Sequence, residues 1–436
     1  MVKAAPMKTC AIVDGVSSGS LLAAEFSRRG FRVINVRSHE YASLVAHSFH
    51  REDYVFDIPA MALEHQARIL RDHGVRFIIA GAECGVERAD LLNARLGRPG
   101  NDANSWADRR HKYEMVEAVR RAGLPAPRQI KTADVREALA FAAGLSHHRV
   151  ILKPQRSSGS HLVFAADTAT RIRDAFAQIL SRTTMFGEHN SEVCVQEFIE
   201  GREYIIDTVS RDGAVVVTDM WEYHFADRNG VPFLYDRTEL LASDHPHGGE
   251  LEDYAMRVVD ALGIRWGPAH CEVMLTDAGP KVIEVGARLA GAAIPRYAHA
   301  AGEMSQAAVT ADAYTDSAAF AAARSYRPPH DQTCYVVQLT SPTNGVFFGH
   351  SRLSEIERLP SFFAADLWLE DGDPVCRTVD LVTSPGHIAL IHPDPNVLVE
   401  DYAAIRRWEM SGVYGTVDDR SPTADLSLTA LEHNRS

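Results

Sequence analysis

Cys271-Glu-Val-Met-Leu-Thr-Asp-Ala-Gly-Pro-Lys-Val-Ile-Glu-Val-Gly-Ala-Arg288 reads as two short strands joined by a turn at Asp277-Ala-Gly279. The apolar residues Val273, Met274, Val282 and Ile283 mark the strands as partly buried, and they set Glu272 and Glu284 on neighbouring strands. Two carboxylates facing each other across a strand pair repel unless something positive lies between them. Magnesium meets that need, because it is hard, prefers oxygen ligands and bridges carboxylates to phosphate oxygens. Arg288, just beyond the second strand, is placed to neutralise charge that develops on a transferred phosphoryl group. The bland alternative is a surface hairpin whose glutamates are solvated.

Working outward, Val150-Ile-Leu-Lys153 is an apolar strand ending in a lysine, followed by Pro154 and the turn Ser157-Ser-Gly-Ser160. An ammonium group beside a small loop suits phosphate: Lys153 supplies charge, while the N–H and hydroxyl groups of Ser157, Ser158, Gly159 and Ser160 wrap anionic oxygens. Alone, the same residues describe an edge strand before an ordinary hairpin. Downstream, Gln196-Glu-Phe-Ile-Glu-Gly-Arg-Glu203 carries the strand Val193–Ile199 into a connection at Gly201. Its backbone can pair with an adenine edge, and Glu203 can accept hydrogen bonds from ribose hydroxyls; taken singly it is also an acidic hairpin connection.

The flanking sequence sets the frame. Thr9–Val13, Phe31–Val36 and Phe77–Ala80 are apolar strands separated by helices near Leu21–Phe26 and Met61–His73, a pattern that predicts a doubly wound parallel sheet. Tyr113–Ala122, Arg171–Ser181 and Tyr254–Leu262 read as helices. His161–Phe164 is expected as a strand. Tyr204–Val209 and Ala214–Met220 read as a hairpin turning at Asp212-Gly213. Beyond residue 332, short strands at Cys334–Leu339, Val346–Phe348 and His387–Ile391 suggest a separate α+β lobe, and the polar stretch after Thr416 lacks any pattern. At 436 residues the chain exceeds one compact core, so two to four domains are expected. A composition of 46% hydrophobic and 24% charged residues is that of a soluble globular protein. The net charge of −13, without a Lys/Arg stripe, argues against a nucleic-acid partner. The six cysteines form no CxxC pair, which points away from a zinc site or disulfide framework. Neither a signal peptide nor an apolar run of bilayer length is evident, so a cytoplasmic protein without membrane partners is expected.

The order of these motifs resembles the ATP-grasp superfamily from about residue 105 to 300. It runs from Arg109-Arg-His-Lys112 through Lys153-Pro with its Ser/Gly loop and Gln196–Glu203 to Glu272…Glu284-x-x-x-Arg288. The resemblance implies a mixed α/β and α+β fold: an N-terminal parallel α/β domain (1–105), a nucleotide-binding lobe (106–200), a metal and catalytic lobe (201–330), a C-terminal α+β lobe (331–415) and a disordered tail (416–436). It also implies ATP and magnesium as cofactors, with manganese an alternative ion. Lys112 and Lys153 would be the nucleotide lysines, Glu197, Phe198 and Ile199 the adenine hinge, Glu203 the ribose ligand, and Glu272 and Glu284 the metal carboxylates. Lys153 and Arg288 would act on the transferred phosphate.

The finer resemblance is to the L-amino-acid ligases of the bacilysin synthetase type. It is carried by Ala80–Val86, Arg110-His-Lys112, Gly267-Pro-Ala-His-Cys-Glu272, Glu284-Val-Gly-Ala-Arg-Leu-Ala-Gly291 and Thr378–Gly386. That likeness implies an amide, typically dipeptide, bond made from a carboxylate and an amine through an acyl-phosphate. The partners would be small molecules, with a homodimer among the assemblies allowed. Many ATP-grasp enzymes have Asn two residues after the second metal glutamate; here it is Gly286, so a third metal ligand is missing. Glu83 is expected near a substrate ammonium, His270 at the substrate or ordering the site, Trp221 at a side-chain pocket and Gly291 beside the substrate. Other readings are a ligase for a different carboxylate or amine in secondary metabolism and a non-ligating nucleotide binder. An NAD-dependent oxidoreductase is disfavoured, because the Gly15/Gly19 turn lacks GxGxxG spacing.

Overall fold

The computed structural model describes residues 8–39, 48–184, 187–242, 244–326 and 331–416. The N-terminal strands β1 (Lys8–Val13), β2 (Phe31–Val36), β3 (Phe56–Ile58) and β4 (Val75–Ala80) form a parallel sheet in the order β3-β2-β1-β4. Alternate residues of β1 feed opposite cores, as the two-residue period of a strand requires. Ala11 and Val13 pack with the helices Leu63–Asp72 and Val86–Leu96, while Cys10 and Ile12 pack with Ser20–Arg28. Cys10 is thereby a buried thiol.

The next lobe holds β5 (Gln129–Thr132), β6 (Val150–Pro154), β7 (Phe164–Ala166) and β8 (Val193–Glu197), antiparallel in the order β5-β8-β6-β7. The helices Val135–Ala143 and Ala169–Ser181 cover it through Ala138, Ile172 and Phe176, which meet Leu152 and Val195. The expected strand at His161–Phe164 does not form as such. Ser160 and Leu162 have positive φ, at 57° and 60°, which no strand accommodates, so the loop after β6 runs on and pairing starts only at Phe164.

The catalytic sheet contains β9 (Arg202–Arg211), β10 (Ala214–Arg228), β11 (Val231–Leu240), β12 (Trp266–Thr276) and β13 (Gly279–Gly286). The hairpin turning at Asp212-Gly213 is present, with Arg211 opposite Ala214. Sequence reading missed β11 and the full length of β10. Their turn is Asn229-Gly230, at φ 56° and 68°, with Arg228 opposite Val231. Asn-Gly between alternating aromatic residues is the usual signal for such a two-residue turn.

The C-terminal strands correct a second expectation. β14 (Thr333–Gln338), β16 (Phe362–Leu367) and β18 (Gly386–His392) do not stand apart; they continue the catalytic sheet, whose order is β13-β12-β9-β10-β11-β14-β18-β16. The remaining strands β15 (Gly345–Phe347), β17 (Pro374–Val375) and β19 (Tyr414–Thr416) make a small sheet in the order β17-β15-β19. This region does have its own apolar core, in which Leu398, Ile405 and Trp408 of the helix Pro395–Trp408 meet Val337, Ile388 and Leu390. Of the expected tail, Thr416 ends β19 and 417–436 lie outside the described residues. Among the described residues no helix is long and apolar enough to cross a membrane.

Candidate active site

The strand pairing brings one face of the catalytic sheet together. Glu272 stands opposite Glu284 on β13 and opposite Ile205 on β9, while His270 stands opposite Asp207 and Gly286. Side-chain alternation then sets Glu203 and Asp207 of β9, His270 and Glu272 of β12 and Glu284 of β13 on a single face. Lys112 forms an ion pair with Glu284. It is carried by the first residue of the helix Lys112–Arg121, whose orphan N–H groups are met by Gln155: Lys112 donates to its carbonyl at 3.0 Å and Tyr113 to its side-chain oxygen at 3.3 Å. That contact docks the helix onto the segment following β6, which delivers Lys153.

Lys153 is buried, with Nζ donating to Gln196 at 3.3 Å. Burial holds its ammonium below the ordinary lysine range, and Lys112 adds to this against the pull of Glu284 and Glu272. Glu203 is pushed up to about 8 by burial and by the neighbouring charges of Glu272 and Glu284. Glu272 behaves in the opposite way. Burial opposes its charge, yet His270, Lys112 and Arg288 together hold it below the usual carboxylate value. The His270 ring bridges Asp207 at 2.8 Å through Nδ1 and Glu272 at 3.3 Å through Nε2. Burial disfavours the imidazolium, but Asp207 and Glu272 outweigh it and raise the ring to about 9. His270 thus orders the carboxylate face. Glu272 and Glu284, oxygen donors on facing strands, suit magnesium and are the residues that would hold it.

The residues expected at the nucleotide connect to this face through Lys281. Glu197 pairs with Lys281 of β13 at 3.4 Å, and the Arg149 guanidinium lies over the Phe198 ring at 3.6 Å. The N–H groups of Glu197 and Phe198 already donate to the carbonyls of Arg128 and Arg149, and Ile199 follows before the turn at Gly201. In the Ser/Gly loop, Ser157 is buried with its hydroxyl 3.5 Å from His161 Nδ1. Ser158 and Ser160 are partly exposed. A Cβ at Gly159 would stand 3.7 Å from Leu381, so this loop rests against the C-terminal segment 378–384.

One substrate expectation needs correction. Trp221 walls no pocket: it is fully buried beside Ile205, Leu240 and Tyr297, and its indole N–H donates to Asp219 at 2.6 Å. Tyr223, two residues on, is the aromatic residue that reaches the site, with its hydroxyl 3.5 Å from Glu272. Glu83 has one carboxylate oxygen on Arg110 at 3.2 Å and the other on Arg288 at 3.2 Å, so its charge is met by two arginines within the protein. Gly291 lies in the loop after β13, where a Cβ would meet nothing within 4 Å. Sequence reading overlooked Asp207, Asp219 and Arg110 as parts of this network. Asp207 had a signal, as an acid directly after the apolar run Tyr204-Ile-Ile206 in the middle of a strand.

The class that this fold and site resemble is the ATP-grasp ligases. The ATP-grasp domain family matches residues 146–296. The chain is 29% identical to the dapdiamide A synthase of Enterobacter agglomerans over 429 residues, which is 94% of this chain and 97% of that one. It is 22% identical to the L-arginine-specific L-amino acid ligase of Bacillus subtilis over 223 residues, covering 50% of this chain and 52% of the relative. In fold it is similar to the L-amino acid ligase of Bacillus licheniformis, with a TM-score of 0.72 at 18% identity across 92% of this chain and 97% of that one. The chain therefore carries an ATP-grasp domain and, over nearly its whole length, is similar in sequence to a dapdiamide A synthase and in fold to an L-amino acid ligase.

Proposed function

We infer that the protein forms an amide, most simply a dipeptide, from two amino acids, using ATP and magnesium and passing through an acyl-phosphate. The observation that carries this reading is Glu272 facing Glu284 on adjacent strands, with Lys112, Lys153 and Arg288 around them. An oxygen of the first substrate's carboxylate attacks the γ-phosphorus of ATP, ADP leaves, and a mixed anhydride forms. The amine nitrogen of the second substrate then attacks the acyl carbon, phosphate departs, and the nitrogen loses a proton. Phosphorylation is needed because a free carboxylate would otherwise have to expel oxide.

Glu272 and Glu284 would hold magnesium, which would supply Lewis-acid neutralisation of phosphate charge. The chain's own residues supply position and field. Lys153, emerging from a buried strand, places a charge in a dry site where Coulomb forces are strong. Arg288 meets the charge on the transferred group. The Ser157–Ser160 loop, backed by residues 378–384, covers the phosphates and keeps water from the anhydride. Full-length similarity to a dapdiamide synthase and partial similarity to an L-arginine-specific ligase support an amide-forming reaction on amino acids or their close derivatives. The test is a matrix of amino-acid pairs with ATP and magnesium, read by phosphate release and product mass. Phosphate release that ignores every added carboxylate and amine would overturn the reading.

A further inference from the structure

The pairing of Glu83 bears on a question raised by position 286. Glu83 follows β4, Arg110 precedes the helix Lys112–Arg121 and Arg288 follows β13, so three separate parts of the chain meet at one carboxylate. The Glu83 and Arg110 side chains are almost wholly buried, at 8% and 2% exposure, which makes water a poor substitute for either partner. On Arg288, Nε donates to Glu83 Oε2 at 3.2 Å and Nη1 to the Leu289 carbonyl at 2.7 Å. Among the described residues nothing occupies Nη2. The guanidinium is therefore fixed in plane and in rotation, with one nitrogen kept for a ligand.

Gly286 occupies the space this arrangement needs. A Cβ there would stand 3.0 Å from Arg288 Cζ and 3.0 Å from Glu83 Oε2. Its φ is not positive, so backbone conformation does not demand glycine; the ion pair does. A side chain of asparagine size, which many ATP-grasp enzymes place here, would fall on the pair itself.

We propose that Glu83 is a positioning residue which, with Arg110, locks the Arg288 guanidinium toward the reacting phosphate and carboxylate, and that Gly286 exists to let this clamp close. The inference rests on the ligase reading for the group Arg288 serves, and it assigns Glu83 to the arginine rather than to a substrate ammonium. In this site a fixed arginine takes the volume that a third metal ligand fills elsewhere.

A double-mutant cycle tests it. Glu83→Ala should lower kcat at least ~10-fold and Arg288→Ala at least ~100-fold, and the double variant should fall no further than Arg288→Ala alone, because residues acting as one unit are not additive. KM for ATP should change less than ~3-fold, and Glu83→Gln, which keeps shape and one acceptor, should recover part of the loss. Gly286→Ala, which removes no charge, should reduce kcat a few-fold, and Gly286→Asn should match Glu83→Ala. Multiplicative losses in the double variant, a fully active Gly286→Asn, or a Glu83→Ala change confined to KM for one amino acid would each overturn the clamp. If the wild-type protein shows no amino-acid-dependent turnover, the ligase reading fails. The clamp is then judged by calorimetric binding of ADP with magnesium and aluminium fluoride, which mimics the phosphoryl group in transfer; multiplicative losses in the double variant, or no loss in Arg288→Ala, refute it.

Discussion

Replacing His270 by asparagine removes the charge between Asp207 and Glu272 while leaving an amide short enough to stay near Asp207. Asp207 is fully buried, and its second oxygen has no hydrogen-bond partner, so the imidazolium is its principal counter-charge. The ring's rise from an ordinary 6.5 to about 9 reflects the preference of the folded protein for the charged form. At 1.36 kcal/mol for each tenfold change in proton affinity, this corresponds to roughly 3 kcal/mol of stability. The sign follows from linkage. A group whose folded value lies above its unfolded one stabilises fully below the unfolded value, and that stabilisation is lost as pH rises through the folded one. Urea unfolding of wild type and His270→Asn in magnesium-free buffer should therefore differ by about 3 kcal/mol near pH 6, with the gap closing between pH 6.5 and about 9. A gap that stays constant from pH 6 to 9.5, or one below about 0.5 kcal/mol, would show that His270 is neutral in the fold or is not the counter-ion of Asp207.

Lys153→Ala, Glu284→Ala and Arg288→Ala should each reduce amino-acid-dependent phosphate release at least ~100-fold with folding retained by circular dichroism; full activity in any one removes that residue from the site. Trp221→Ala, at a position with no exposed surface, should cost about 3–5 kcal/mol in unfolding while leaving KM for both amino acids unchanged in whatever protein remains folded. A large KM change there would restore Trp221 to the substrate pocket. Magnesium with ATP at about 100 times its dissociation constant should stabilise the fold by about 2.7 kcal/mol in a melting experiment, and excess chelator should abolish the effect. Equal stabilisation by ATP without the ion would count against the paired glutamates as its ligands.

Much of the scaffold was legible because its signals are local. Two glutamates in a hairpin of period two, a lysine ending an apolar strand and Asp-Gly between alternating runs each need only a few neighbouring residues to be read. What escaped depends on distance. Glu83 reads as an open carboxylate until Arg110 and Arg288 arrive, the second from 205 residues away. Trp221 and Tyr223 share a strand face and an aromatic character, and only the packing of Ile205, Leu240 and Tyr297 decides which is core and which reaches Glu272. The β10–β11 hairpin is a different case, since Asn229-Gly230 stood in plain sight. Of the strands after residue 332, β14, β15 and β18 were read as strands while β16, β17 and β19 were not, and nothing local says which edge an amphipathic strand will join.

That edge limits how the chain can be cut down. Arg237–Glu239 of β11 are paired to Tyr335–Val337 of β14, so the catalytic sheet has no natural border near residue 330. A fragment ending there would keep every residue proposed for nucleotide and metal, yet would display an unpaired row of backbone donors and acceptors of the kind that recruits other chains. Insoluble aggregate, rather than a minimal catalytic core, is the expected product of such trimming, and the reaction is better dissected by single substitutions in the intact protein.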